Sequence, residues 1–303
     1  MKSLMLVFAL LTVFAIGCTD QIENSAAPNP SLAQLISQHP DYTTLNAALI
    51  RTNLLDDLST GNYTIFAPDN QAFIVAGITD INAVPLTKLD SMMKYTLVSQ
   101  VINSGALPAS DTIKSVLGRN IFASKNSNGR FVNGMTIRLA DITASNGIAH
   151  TITNVLMPPS QTISAIAAAD TTYSFFVTAL ALTNLSATIA APGKLTVFMP
   201  TNAAFRAAGI VDVNALPVAT LTTIMQYHIL TTNTFASDFT HNGTVVTLQG
   251  GTVTSTIGGV GTVGGAGIQV RITSSTQPGS LITTQNIVAT NGVIQVINRL
   301  MLP

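Results

Sequence analysis

Charge is what this sequence has least of. Asp, Glu, Lys and Arg make up 9% of its 303 residues and cancel to a net charge of zero, against about 25% in an ordinary soluble domain. Such a supply cannot furnish the basic patch that a nucleic-acid partner would demand. Glu23 is the only glutamate, and from Gln161 onward the charges are Asp170, Asp212, Asp238, Lys194, Arg206, Arg271 and Arg299. Glutamate and lysine favour long solvent-facing helices, so their scarcity argues against such helices. Cysteine occurs once, at position 18. With no second thiol there is no disulfide within the chain, and stability has to come from packing. The four histidines, His39, His150, His228 and His241, fall in unrelated contexts without metal-ligand spacing. No Gly-x-Ser-x-Gly elbow occurs. Convergent titratable groups are therefore missing, and the reading is a non-enzyme with no cofactor and no metal.

What remains is a surface of Thr, Ser, Asn and Gln. Threonine favours strands over helices. A neutral face of hydroxyls and amides suits contact with polymers or other neutral surfaces better than electrostatic steering. Gly259-Val260-Gly261-Thr262-Val263-Gly264 satisfies the dinucleotide pattern on paper, but that fingerprint needs a strand before it and a helix after it. The alternating Ile268-Gln269-Val270-Arg271-Ile272 that follows reads as a strand, so the match is rejected.

The organisation follows from an internal repeat. Thr64-Ile65-Phe66-Ala67-Pro68-Asp69-Asn70-Gln71-Ala72-Phe73 returns as Thr196-Val197-Phe198-Met199-Pro200-Thr201-Asn202-Ala203-Ala204-Phe205, 132 positions on (196 minus 64). Tyr95 matches Tyr227 at the same offset. Asn146-Gly147-Ile148 matches Asn291-Gly292-Val293 at an offset of 145 (291 minus 146). The second copy thus holds about thirteen extra residues, expected in a glycine-rich stretch at 250–267. The expected domains are 31–158 and 160–303, each of ordinary domain size, joined by the stiff Pro158-Pro159-Ser160.

Residues 1–17 read as a signal peptide, with Lys2 followed by the apolar run Leu4 to Ile16, which is too short to cross a bilayer as a finished helix. Ala15-Ile16-Gly17-Cys18 resembles the lipobox of bacterial lipoproteins, which implies lipid attachment at Cys18. The family usually has Leu where Ala15 stands and a small residue where Ile16 stands. The other reading is a secreted chain with a leftover thiol. Residues 18–30 read as a flexible tether.

Within a copy, helical spacing comes first, at Leu32, Leu35 and Ile36, then Leu45, Ala48 and Leu49. A buried strand at Tyr63 to Ala67 stops at Pro68. Asp69 caps a helix through Phe73 to Gly77, and Leu86 to Tyr95 is helical again. From Thr96 the pattern shortens to alternation broken by Asn133-Gly134 and Asn146-Gly147, which reads as hairpins. Helices followed by a meander make an α+β domain.

The paired boxes, the Tyr-centred segments Lys94-Tyr95-Thr96-Leu97 and Gln226-Tyr227-His228-Ile229-Leu230, and the endings through Met157-Pro158 and Met301-Leu302-Pro303 together resemble the fasciclin-like domain, twice over. The resemblance implies a β-wedge sandwich of about seven strands with helices packed against it. It also implies membership among matrix, cell-surface and bacterial envelope proteins. In animal members a Tyr-His pair is associated with integrin binding, which makes Tyr227 and His228 the candidate binding residues. The competing reading is that His228 is a satisfied buried histidine, with residue 69 touching 96 and residue 201 touching 228, since Asp–Thr and Thr–His each supply a donor and an acceptor. Thr64, Phe66, Pro68 and Phe73, with Thr196, Phe198, Pro200 and Phe205, are read as a strand-to-helix joint.

The functional expectation is a tandem-repeat lipoprotein anchored by lipid in the bacterial cell envelope, at the outer membrane. It would mediate cell adhesion or extracellular-matrix interaction without catalysis. The alternative is an envelope polysaccharide-binding lipoprotein. The partners expected are the membrane, through the lipid, and a protein or polysaccharide ligand.

Overall fold

The computed structural model describes residues 29–260, 268–273 and 279–303. The signal segment, Cys18 and most of the tether lie outside the described residues, as do 261–267 of the glycine-rich stretch.

The first copy begins with α1 (Leu32–Gln38), α2 (Thr43–Arg51), α3 (Asp57–Thr60), β1 (Tyr63–Pro68), α4 (Asn70–Val75) and α5 (Leu86–Thr96). It finishes with β2 (Leu97–Val98), β3 (Ser110–Lys114), β4 (Asn120–Asn126), β5 (Gly129–Val132), β6 (Met135–Ala144) and β7 (Gly147–Ile152). The second begins with α6 (Ile163–Ala169), α7 (Ser174–Leu182), α8 (Ser186–Ala190), β8 (Leu195–Pro200), α9 (Asn202–Ala207) and α10 (Val218–Tyr227). Its strands are β9 (Ile229–Leu230), β10 (Gly243–Val246), β11 (Thr252–Val260), β12 (Ile268–Thr273), β13 (Ser280–Ala289) and β14 (Gly292–Ile297). Each copy makes a mixed seven-stranded sheet, ordered β2-β1-β7-β6-β5-β4-β3 in the first and β10-β11-β12-β13-β14-β8-β9 in the second. The α+β architecture of two tandem units is thus as the repeat implied. Among the described residues no single helix is long and apolar enough to cross a membrane.

In each sheet the box strand, second from one edge, lies parallel to the last strand of its copy. Tyr63 sits opposite Gly147 in the first, Leu195 opposite Gly292 in the second. Parallel strands are covered on both faces and so read as continuous apolar runs. Alternation sends their side chains to opposite sides. Ile65 and Ala67 enter a core with Leu45, Leu49 and Met92 of the helices. Phe66 enters another with Tyr95, Val132 and Leu156. In the second copy Val197 and Met199 meet the helices, and Phe198 packs with Tyr227 and Phe239. Two cores per domain, one under the helices and one under the hairpins, give the wedge its shape.

The extra residues of the second copy do not begin at Gly250. Gly250 (φ 96°) occupies the turn held in the first copy by Gly118 (φ 78°), at the unshifted offset. Pairing of Thr244 with Thr254 likewise mirrors Thr112 with Phe122. By β13 the offset is 145 (280 minus 135). The added length therefore falls between 252 and 280: in longer β11 and β12, in the connection between them, and in the connection to β13. Short two-residue turns, Ser127-Asn128 and Asn133-Gly134, stand there in the first copy. Strand pairing thus moves the insertion from a single glycine-rich loop into a longer hairpin and the connection after it. The rejected dinucleotide pattern has strands on both sides, β11 to Val260 and β12 from Ile268.

Candidate functional site

The box residues are a joint in both copies. Thr64 Oγ1 donates to the carbonyl of Gln100 at 2.6 Å and accepts from the amide of Ile102 at 2.8 Å. Thr196 repeats this with Thr232 at 2.6 Å and Thr234 at 2.8 Å. One hydroxyl therefore fastens the chain leaving β2 or β9 to the box strand, β1 or β8. Pro68 and Pro200 close those strands, since proline cannot donate to a continuing ladder. Asp69 Oδ1 and Thr201 Oγ1 accept the amides of Ala72 and Ala204 as N-caps. Phe73 and Phe205 return to the helix-side cores.

The proposed contacts of 69 with 96 and of 201 with 228 are not made. Thr96 Oγ1 donates to the carbonyl of Met93, one turn back in its own helix. The second oxygen of Asp69, a residue only 5% exposed, takes Arg138 of β6 at 2.5 Å. Position 138 corresponds to Thr283 in the second copy, at offset 145 (283 minus 138). That correspondence explains why Asp69 is replaced by uncharged Thr201: a buried carboxylate needs its cation, and where the arginine is gone the acid is gone too.

Tyr227 and His228 are not on the surface. Tyr227 is 3% exposed, and its hydroxyl donates to the carbonyl of Thr252 at 2.7 Å. Tyr95 does the same to Asn120 at 2.8 Å, and burial pushes its phenol up to about 12. His228 is fully buried at the end of α10. Its Nδ1–H donates to the carbonyl of Ile224 at 2.8 Å and its Nε2 accepts from the amide of Met301 at 3.1 Å, which fixes the neutral tautomer. Burial drives its pKa down to about 4. With both nitrogens engaged, the pair has no face to offer a partner, and the buried reading of His228 replaces the binding one.

His150 has the same internal character. It accepts from the amide of Asp141 through Nδ1 at 3.1 Å and bonds the carbonyl of Ile102 through Nε2 at 2.9 Å. Gln295 takes its place in the second copy. It meets the amide of Asn286 and the carbonyl of Thr234. Asp141 and Asn286, both at φ 60° in strand bulges, in turn hold the amides of Ser104 and Ala236.

Two asparagine pairs not anticipated as anchors make three side-chain hydrogen bonds at each residue. Asn146 accepts from the amide of Leu32 and donates to the carbonyls of Leu58 and Gly61, each at 2.8 Å. Asn291 does likewise with Ile163, Ile189 and Ala191. Gly147 and Gly292 follow because a Cβ there would lie 2.1 Å from the carbonyl oxygens of Tyr63 and Leu195. Asn70 and Asn202 fasten the starts of α2 and α7. Recurrence of each asparagine in both copies was the available signal.

The remaining surface feature lies between the domains. Phe122 of β4 packs on Phe235, ring centroids 5.1 Å apart, with Val293 beneath. Asp238 Oδ1 accepts from the hydroxyl of Ser124 across the interface at 2.6 Å. Burial raises the pKa of Asp238, the bond from Ser124 opposing it. Lys194 reaches Asp111 at 3.3 Å from the other side. Between these contacts opens a cleft of about 580 Å³. Lys114, Arg119, Lys194 and Asn233 line it, and no carboxylate does. An adjoining groove of about 720 Å³ shares Arg119 and Pro159 and adds Lys88. Among the described residues no three His, Cys, Asp or Glu side chains gather as metal ligands.

Comparison with known proteins bears on the fold rather than on the cleft. The Fasciclin domain family model matches residues 40–158 and 171–303. Transforming growth factor-beta-induced protein ig-h3 of Sus scrofa is 33% identical over 122 residues, which cover 39% of this chain and 18% of that protein. Protein sll1483 of Synechocystis is 30% identical over 171 residues, covering 50% of this chain and 94% of that one. A solved FAS1 domain pair from the insect cell adhesion molecule fasciclin I aligns with a TM-score of 0.43 at 15% identity, covering 85% of this chain and 95% of that one. The chain spans about a fifth of the length of the first curated relatives it matches.

Proposed function

The chain belongs to the fasciclin domain family, and from that premise we propose that it is a lipid-anchored envelope protein mediating adhesion or matrix interaction by non-enzymatic binding. Family membership supports the reading, because fasciclin domains serve cell adhesion and matrix contact. One observation carries it within this chain. The polar residues that recur in both copies, Thr64 and Thr196, Asn70 and Asn202, Asn146 and Asn291, are engaged in bonds to their own main chain. Recognition is then left to the outer surface, where the two domains differ and where they meet. The anchor is the lipid on Cys18, the location is the outer membrane, and the ligand is a protein or polysaccharide of the surroundings.

Protease treatment of intact cells tests the location. Cleavage of the chain is the expected result, and full protection would place it inside the envelope and end the adhesion reading. Cys18→Ala should release the protein from the membrane fraction; persistence through a carbonate wash would show that another element anchors it.

A further inference from the structure

The two sheets end on matching strands that are guarded differently. β3 in the first copy and β10 in the second are edge strands, each paired with one neighbour, and they correspond at the offset of 132 (244 minus 112). An edge strand offers a row of unpaired main-chain donors and acceptors, which charged side chains or a covering element ordinarily block. β3 has both. Asp111 and Lys114 stand on it, Asp111 is paired with Lys194 of the second domain, and Thr112 and Lys114 line the cleft that the second domain closes. β10 has neither. Gly243 and Val246 replace Asp111 and Lys114, and no Asp, Glu, Lys or Arg occurs from Phe239 to Val270. Among the described residues no further strand pairs beyond β10.

The register decides which main-chain groups face outward. The amide of Thr247 bonds the carbonyl of Gly251, and Val246 stands opposite Thr252. Hydrogen-bonded pairs alternate along an antiparallel ladder, so Gly243 and Val245 turn their main-chain groups to β11 while Thr244 and Val246 turn theirs away. The side chains of Thr244 and Val246 are exposed too, Val246 by 63%, on the face opposite Val245, which packs toward the core. This outward set is complementary to itself. About a two-fold axis beside Val245, Thr244 of one copy meets Val246 of the other and the reverse, each pair exchanging both of its main-chain hydrogen bonds and setting two β-branched side chains side by side. A neutral edge has nothing with which to select a charged strand, and against another β10 it meets neither like charge nor proline.

We propose that β10 pairs antiparallel with β10 of a second copy of this chain, joining two sheets into one across a closed two-fold contact. The proposal concerns self-association and stands apart from the adhesion reading and its ligand. The contact is small beside the roughly 1,200 Å² of a standard interface, so the dimer is a weak and reversible one.

Sedimentation equilibrium of the Cys18→Ala protein, in which no thiol can link copies, tests this from about 10 μM to about 1 mM, a range that reaches a Kd of millimolar strength. A reversible monomer–dimer equilibrium is the expected result. Val246→Lys, which installs the residue of the first copy, and Thr244→Pro, which removes an amide that β11 does not use, should each weaken dimerisation about tenfold or more. Thr244→Val keeps the amide and should dimerise at least as well as the wild type. Val211→Lys, at an apolar residue 76% exposed in the connection from α9 to α10, should leave the equilibrium unchanged. Circular dichroism and urea midpoints matching the wild type identify the variants that keep the fold, and Val246→Lys alone suffices if the proline variant does not. A monomer throughout the range would overturn the proposal and leave the edge to an extended segment of another protein. A dimer that a folded Val246→Lys variant leaves intact, or that Val211→Lys weakens equally, would overturn it as well.

Discussion

Replacing His228 should flatten the pH dependence of stability. In the unfolded chain this imidazole titrates near its ordinary 6.5, whereas in the folded protein burial holds it neutral down to about 4. Below 6.5 the unfolded state therefore takes up a proton that the native state refuses, and folding loses stability as pH falls. The loss is about 1.4 kcal/mol per pH unit. Over the interval from 6.5 to about 4 it sums to roughly 3 kcal/mol. Nothing is lost above the upper limit. His150, also depressed by burial, acts in the same direction within the first domain. Asp111, Asp141, Asp170 and Asp212, lowered from 3.8 by hydrogen bonds, contribute stability that disappears only below that value. Asp238, raised by burial, works oppositely, since its folded form takes its proton first.

Those contributions cancel when wild type is compared with His228→Thr, which installs the residue of the first copy. The variant loses the acceptor for the Met301 amide and should be less stable at neutral pH by about 1–3 kcal/mol. Between about pH 7 and pH 4 its stability should fall less than that of the wild type by roughly 3 kcal/mol. Urea unfolding followed by circular dichroism measures both. Parallel pH profiles for the two proteins would refute the burial argument and return Tyr227-His228 to the surface as a candidate contact.

Asn146→Ala and Asn291→Ala each remove three bonds that join the first helix, the third helix and the last strand of a copy; each should cost about 2–4 kcal/mol in urea unfolding, and a cost below about 0.5 kcal/mol would contradict the anchoring role. His150→Gln should change stability by less than about 1 kcal/mol because Gln295 fills the same place, whereas His150→Leu, leaving the Ile102 carbonyl and Asp141 amide unmatched, should cost about 2–4 kcal/mol; equal costs would show that the ring's shape matters and its nitrogens do not. Phe235→Ala should loosen the domain pair, read as a larger radius of gyration by X-ray scattering, with loss of an aromatic contact worth about 1 kcal/mol beyond its buried area; an unchanged profile would mean the linker alone fixes the arrangement.

The repeat made the architecture legible because the strand-to-helix joint is local. Ile65, Pro68, Asp69 and Phe73 announce a buried strand, its end, a cap and a returning ring within ten residues. What stayed hidden depends on partners far along the chain. The matched differences at 69 and 96 between the copies predict a contact of Asp69 with Thr96, but Asp69 finds Arg138 on β6, and only the loss of both charges in the second copy points to that. The insertion was drawn to the glycines, yet pairing of β11 with β10 keeps the unshifted register through Thr254. The asparagines of Asn146-Gly147 and Asn291-Gly292 looked like turn residues, which they are, while their amides reach the helices. The cleft was invisible because Arg119, Lys194 and Asn233 meet only when two domains dock.

Attachment of intact cells tests the central claim most directly. Cells lacking this protein should adhere to their matrix more weakly than wild-type cells. Soluble Cys18→Ala protein should compete with wild-type attachment in a dose-dependent way. Undiminished attachment without the protein, together with no competition by the soluble form, would contradict the account.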